Sequence, residues 1–374
     1  MRAVSMTLTA PAPETLDVPR AHPTRRRRLS GPALAAGLVV AVAVLVAVRT
    51  GPGKIPNVAG WAEIANQWPL YPLPEIQAYV QRQALGQATF QLLGWEGTGR
   101  FLALHLAALG LSGGVLAFWL LRRLGTERGA IAVCLLLVSP ITVVLLEWIG
   151  MYDAFSVLVW VALIVSLRYG PAVQVAVGVL AGFQNFEQFA FSVLVLTLVP
   201  ELSRGLGLRV RTVALAVGAV IGKIGLEAYL SSAGAVSGTR GTFLADPEMR
   251  SMVLDTFVAM WPFVIWSALG ALWLPALRAM PGVWAGGLSL RVRTVAAAAV
   301  VLVTGIIAAD HTRVMVLVAF PAVVLIVTHL AGRETSLRAW ISRPETWVVL
   351  MVPPVVVWSS ELLPIGLDLA TWGL

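Results

Sequence analysis

One cysteine, Cys134, occurs in 374 residues, and it lies inside an apolar run. That excludes a disulfide framework and a thiolate metal site, and the thiol reads as inert core. Histidine is scarce too. The four histidines have neither HExxH nor any other zinc spacing. The chain contains no P-loop, no GxGxxG after a strand and no convincing GxSxG, so ATP-driven and dinucleotide chemistry fall away. Internal repeats, coiled coils and soluble domains are also absent. Charged residues make up only 12%, against roughly 25% in soluble domains.

Apolar residues take the place of charge. The hydrophobic share is 58% and the mean hydropathy is +0.83, which defines an integral membrane protein. A net charge of +8 is compatible with a polyanion partner, but the basic residues are spread over short breaks between apolar runs. Orientation in a bilayer accounts for them, and no nucleic-acid partner is expected.

The charges alternate. Arginine collects at 25–28, at Arg122, Arg123 and Arg128, at Arg168, at Arg204, Arg209 and Arg211, at Arg278, Arg291 and Arg293, and at Arg333, Arg338 and Arg343. Carboxylates gather in the intervening breaks, among them Glu63, Glu75, Glu147, Asp153, Glu187, Glu227 and Asp310. The positive-inside bias makes the arginine side cytoplasmic. A multi-pass plasma-membrane protein follows, with its N-terminus cytoplasmic and its C-terminus extracytoplasmic. Because carboxylates at the membrane rim are expensive, their one-sided accumulation places the activity on the extracytoplasmic face.

Residues 1–30 read as a disordered cytoplasmic tail, and 31–374 as a single transmembrane domain with outer loops at 50–100 and 232–252. The run 33–48 after the arginines could be a secretory signal, but no small-x-small cleavage site precedes Arg49, which favours an uncleaved span. Later runs cover 101–121, 129–149, 154–169, 171–199, 212–231, 253–276, 294–309, 314–332 and 345–362. Segment 171–199 has basic flanks on both sides, so it must enter and return. Two arms of about 14 residues reach about 21 Å each, short of the roughly 30 Å hydrocarbon core, so its polar turn at 182–188 should lie below the surface beside a cavity. The expected fold is an all-α polytopic bundle of about eleven helices, two of them short and forming a hairpin. The first outer loop, rich in tryptophan and containing a helical stretch at 75–93, should lie on the membrane as interfacial helices. Residues 232–242 read as a mobile loop.

Several groups could carry chemistry, each with a bland alternative. Lys223 and Glu227 share a helix face and form either an ion pair holding helices together or a cation facing an anionic ligand. Asp310, His311 and Arg313 stand where one helix exits and the next re-enters. Arg313 either pairs locally with Asp310 or forks a lipid phosphate. Asp153 opens a helix as a cap or as a functional acid. Glu187, at the hairpin turn, is the hardest to explain structurally. His105 and His329 read as packed helix residues.

These features resemble the GT-C class of polyprenyl-phosphate-sugar-dependent membrane glycosyltransferases. The similar parts are residues 61–86, opening Trp61-Ala62-Glu63, then Met151-Tyr152-Asp153, Asn185-Phe186-Glu187 and Asp310-His311-Thr312-Arg313. Many such enzymes carry two adjacent acids early in the first outer loop, where this chain has only Glu63. The resemblance implies a lipid-linked sugar donor and an extracytoplasmic acceptor. Glu63 would be the base, Asp153 and Glu187 would contact the acceptor or a divalent metal ion, and Arg313 and Lys223 would hold the phosphate. Two rivals stay open: a secondary transporter with a mid-membrane polar site at Lys223, Glu227 and Glu187, and a non-catalytic membrane scaffold whose acids pair only with one another.

Overall fold

The computed structural model describes residues 31–50, 58–70, 81–199, 208–235, 246–308, 310–358 and 361–362. The expected N-terminal tail, Glu75, most of the expected mobile loop and the C-terminus lie outside these residues.

The chain is a polytopic helical membrane protein. Its helices are α1 (Gly31–Thr50), α2 (Val58–Gln67), α3 (Ala84–Leu92), α4 (Thr98–Leu124), α5 (Thr126–Leu137), α6 (Pro140–Glu147), α7 (Asp153–Ser166), α8 (Pro171–Leu198) and α9 (Leu208–Ser232). They continue as α10 (Pro247–Leu269), α11 (Trp273–Ala285), α12 (Leu288–Ile306), α13 (His311–Gly332), α14 (Leu337–Ile341) and α15 (Pro344–Met351). A two-residue ladder, β1 (Val357–Trp358) with β2 (Glu361–Leu362), closes the described chain. Seven helices among the described residues are long and apolar enough to cross a membrane, or eight if α5 and α6, bent by 55°, form one span. That bend follows from Pro140, which cannot continue the helix begun at Thr126.

α13 is the central post. Most of its residues are buried, including Met315, Leu317, Val318 and Val324, so it is apolar nearly all round, as a helix surrounded by other helices must be. α7 packs nearby with Trp160, Leu163 and Ile164 buried. At 14 residues it reaches only about 21 Å, short of the roughly 30 Å hydrocarbon core.

The segment expected to turn does so. Asn185 leaves helical geometry at φ −161° and ψ 75°. With α7 as a ruler, Gln174 meets Ser166, Gln184 meets Tyr152 and Ser156, and Ser192 meets Trp160. The arm before Asn185 thus runs against α7 and the arm after it runs with α7.

The first arm also packs on α9 through glycines. A methyl group at Gly178 would meet the Leu215 carbonyl, and one at Gly182 the Ala219 carbonyl. Gly218 and Gly222 stand likewise against the carbonyls of Val175 and Val179. Two GxxxG pairs therefore let the backbones touch, the usual solution where the surroundings are as apolar as the helices and shape must supply the attraction.

Three expectations need correction. The run 345–362 is not a spanning helix: α15 ends at Met351, because Pro353 and Pro354 block continuation, and the chain extends to Val357, whose amide donates to Thr312 Oγ1 at 2.8 Å. Arg49 donates to the carbonyls of Leu350 and Met351, supplying a cation where α15 exposes its last acceptors. Of the helix expected over 75–93, residues 75–80 lie outside the described residues; after them a turn at Gln81–Arg82 interrupts the expected run, and α3 covers Ala84–Leu92. His329 is exposed, not packed, because it lies on the face of α13 that its neighbours leave open. Cys134 and His105 are buried as expected.

Candidate functional site

The carboxylates and their partners form two clusters at the end of the bundle where α7 begins and α9 ends. The first is built on Arg313, in the first turn of α13. Its Nε donates to Asp153 Oδ2 at 2.6 Å and its Nη2 to Asp153 Oδ1 at 3.2 Å, while Nη1 donates to Asp310 Oδ2 at 2.7 Å. Only 2% of the Arg313 side chain and 1% of Asp153 are exposed. The guanidinium lies over the Tyr152 ring at 4.6 Å, and Trp61 meets that ring edge-on at 6.0 Å. Three elements fix this arginine. Its forked donors are taken by carboxylates, so it is a buried structural pair as built.

Around it the loop before α13 is pinned by further hydrogen bonds. Gly305 O lies 2.7 Å from His311 Nδ1, and Thr312 Oγ1 donates to Ser267 Oγ at 2.9 Å. His311 Nε2 is buried without a hydrogen-bond partner among the described residues.

The second cluster is more open. Arg82 forks Glu227 at 2.6 and 2.9 Å. Lys223 Nζ stands 3.0 Å from Glu227 and 3.5 Å from Glu187. Glu227 is thus shared by two cations, and Lys223 is shared by two carboxylates. Unlike the Asp153 pair, these groups reach the surface: 40% of the Glu187 side chain and 23% of Lys223 are exposed. Glu187 stands two residues past the break at Asn185, at the turn between the arms of α8, where it reaches Lys223 of α9.

Gln184 connects the clusters. Its Nε2 donates to the Tyr152 carbonyl at 2.8 Å, and its Oε1 accepts from the Leu85 amide at 3.2 Å. One amide at the hairpin tip therefore fixes both the residue before Asp153 and the start of α3, three residues from Arg82. Gln83, wholly buried at the start of α3, has no hydrogen-bond partner for either amide atom among the described residues.

The expected site residues thus separate by place. Asp153, Asp310 and Arg313 come together. Glu187, Lys223 and Glu227 come together. Glu63 joins neither: it is exposed on α2 and accepts a 3.4 Å bond from Gln67, while the opposite side of that helix carries Trp61, Ala62 and Ala65 inward. Among the described residues no group of three or more His, Cys, Asp or Glu side chains could hold a metal ion. Both Asp153 oxygens face Arg313, so the residues do not fit a metal there. Arg82 escaped the sequence reading. Its signal was present, since it is a basic residue in an interval that the charge alternation gives to acids.

Comparison of the chain with protein-family models, with curated proteins and with solved structures finds no match in any of the three.

Proposed function

We propose that the chain is a GT-C-like membrane glycosyltransferase. It moves a sugar from a polyprenyl-phosphate donor to an acceptor at the acidic end of the bundle, which is extracytoplasmic by the positive-inside bias. The observation that carries the reading is the pairing of a half-exposed carboxylate, Glu187, with a cation, Lys223, 3.5 Å away at the tip of a broken helix.

In this reading Glu187 accepts the proton of the acceptor hydroxyl as its oxygen bonds to the anomeric carbon. The bond from that carbon to the phosphate oxygen breaks, its electron pair leaves with the phosphate, and Lys223 stabilises the charge. Arg82 holds Glu227 so that Lys223 stays poised between two acids. Asp153, Asp310 and Arg313 position the floor of the site, a role that replaces phosphate binding for Arg313 because its donors are already taken. Glu63 stands apart as the rival base on the first outer loop.

The test uses purified protein in lipid with labelled polyprenyl-phosphate sugars and a cell-envelope acceptor extract. Donor consumption that depends on Glu187 and Lys223 supports the reading. The helix break beside a charged cluster equally suits a secondary transporter. Solute entry into sealed vesicles that depends on Lys223, with no donor consumed, makes the transporter the better reading. Neither activity across a broad panel leaves the scaffold.

A further inference from the structure

At the opposite, arginine-rich end, α5, α11, α13 and α15 enclose a cavity of about 260 Å³. Its polar rim carries Arg278, Arg333, Arg343, Glu334 and Glu345. Two of the arginines are committed: Arg278 donates to Glu345 and Arg343 to Glu334. Arg333 forms no ion pair among the described residues and is exposed, so the rim has one positive charge in excess. Glu334 Oε2 is buried without a hydrogen-bond partner among the described residues. The rim therefore offers one uncompensated cation and one unfilled acceptor.

The inner walls are apolar, formed by Ile131, Leu135, Leu330 and Val349, and Leu274, Leu277 and Val348 are exposed nearby. A cavity somewhat below the roughly 300–1,000 Å³ of drug-sized sites takes a headgroup and not a whole lipid. The attached chains then lie along the exposed apolar helix surface.

We propose that this cavity binds the headgroup of an anionic phospholipid of the inner leaflet. The phosphodiester meets Arg333, and a headgroup hydroxyl donates to Glu334 Oε2. A basic pocket between helices at the cytoplasmic side is suited to this chemistry, and the bidentate fork of arginine matches phosphate oxygens. The proposal does not depend on the activity at the other end.

The experiment measures lipid retained by the purified full-length protein, by native mass spectrometry and by melting temperature. Phosphatidylglycerol, phosphatidylcholine and inorganic phosphate are added separately. Phosphatidylglycerol should be retained and should raise the melting temperature, and phosphatidylcholine should do neither. Arg333→Gln should lower phosphatidylglycerol retention roughly fivefold, with its melting temperature in phosphatidylcholine unchanged. Ala279→Phe, which fills the cavity without changing charge, should lower it as well. Equal retention by wild type and both variants overturns the site. Equal retention of phosphatidylcholine overturns the role of charge, and inorganic phosphate that binds as well as the lipid overturns the lipid as occupant.

Discussion

Arg313 and Asp153, 160 positions apart in sequence, meet in a two-point ion pair with both side chains almost wholly buried. The pair ties the start of α7 to the start of α13. Because Asp310 takes the remaining guanidinium nitrogen, the arginine has two acidic neighbours, and either one alone leaves it partly compensated.

Removing one member of that pair should be costly. Asp153→Ala is expected to destabilise the protein by about 3 kcal/mol, the low end for a broken buried pair because Asp310 remains. Replacing both partners, Asp153→Ala with Arg313→Met, should recover much of the loss. Unfolding in detergent measures both, and a double variant less stable than the single one contradicts a purely structural role.

The contact between α8 and α9 allows no side chain at its glycines. Gly178→Leu or Gly222→Leu would force the helices apart, with a loss of about 1–3 kcal/mol or more. Gly113→Ala, which meets nothing within 4 Å, should be near neutral. Melting temperatures in one detergent decide this, and equal values for all three variants would refute the packing.

Glu187→Gln keeps volume and removes the proposed base. Transfer should fall roughly 10²- to 10⁴-fold, while stability changes by less than about 1 kcal/mol because the ion pair is partly exposed. Glu63→Gln should leave the rate unaltered. Were Glu63→Gln the inactive variant, the base would be Glu63.

Orientation is open to labelling, and native Cys134, being buried, gives little background. An impermeant maleimide should label Glu96→Cys on intact cells and Thr335→Cys only after permeabilisation. The reverse result overturns the topology.

Glu345 titrates below the usual carboxylate value, chiefly through its hydrogen bond from Arg278. A carboxyl lowered in the folded state adds stability above its ordinary value of 4.5, and that stability is lost as pH falls through the lowered value. Glu345→Gln should flatten this part of the acid profile of unfolding. An unchanged profile means that the pair contributes nothing.

Much of this was legible in the sequence because the bilayer imposes strong local rules. Apolar length fixed where helices run, and two basic flanks around 171–199 required the chain to return, since charge on one side of the membrane is a property of the linear order of residues. Proline at 353 and 354 could have foretold the failure of 345–362 as a span. The partners were decided by the tertiary structure alone. By its own neighbours in sequence Arg313 is equally suited to fork a phosphate or a carboxylate, and only the packing of α7 against α13 places Asp153 before it. The same holds for Arg82 on Glu227 and for Gln184 between the clusters. Local sequence fixes the cost of burying each charge, and only the folded arrangement of distant helices decides which opposite charge offsets it.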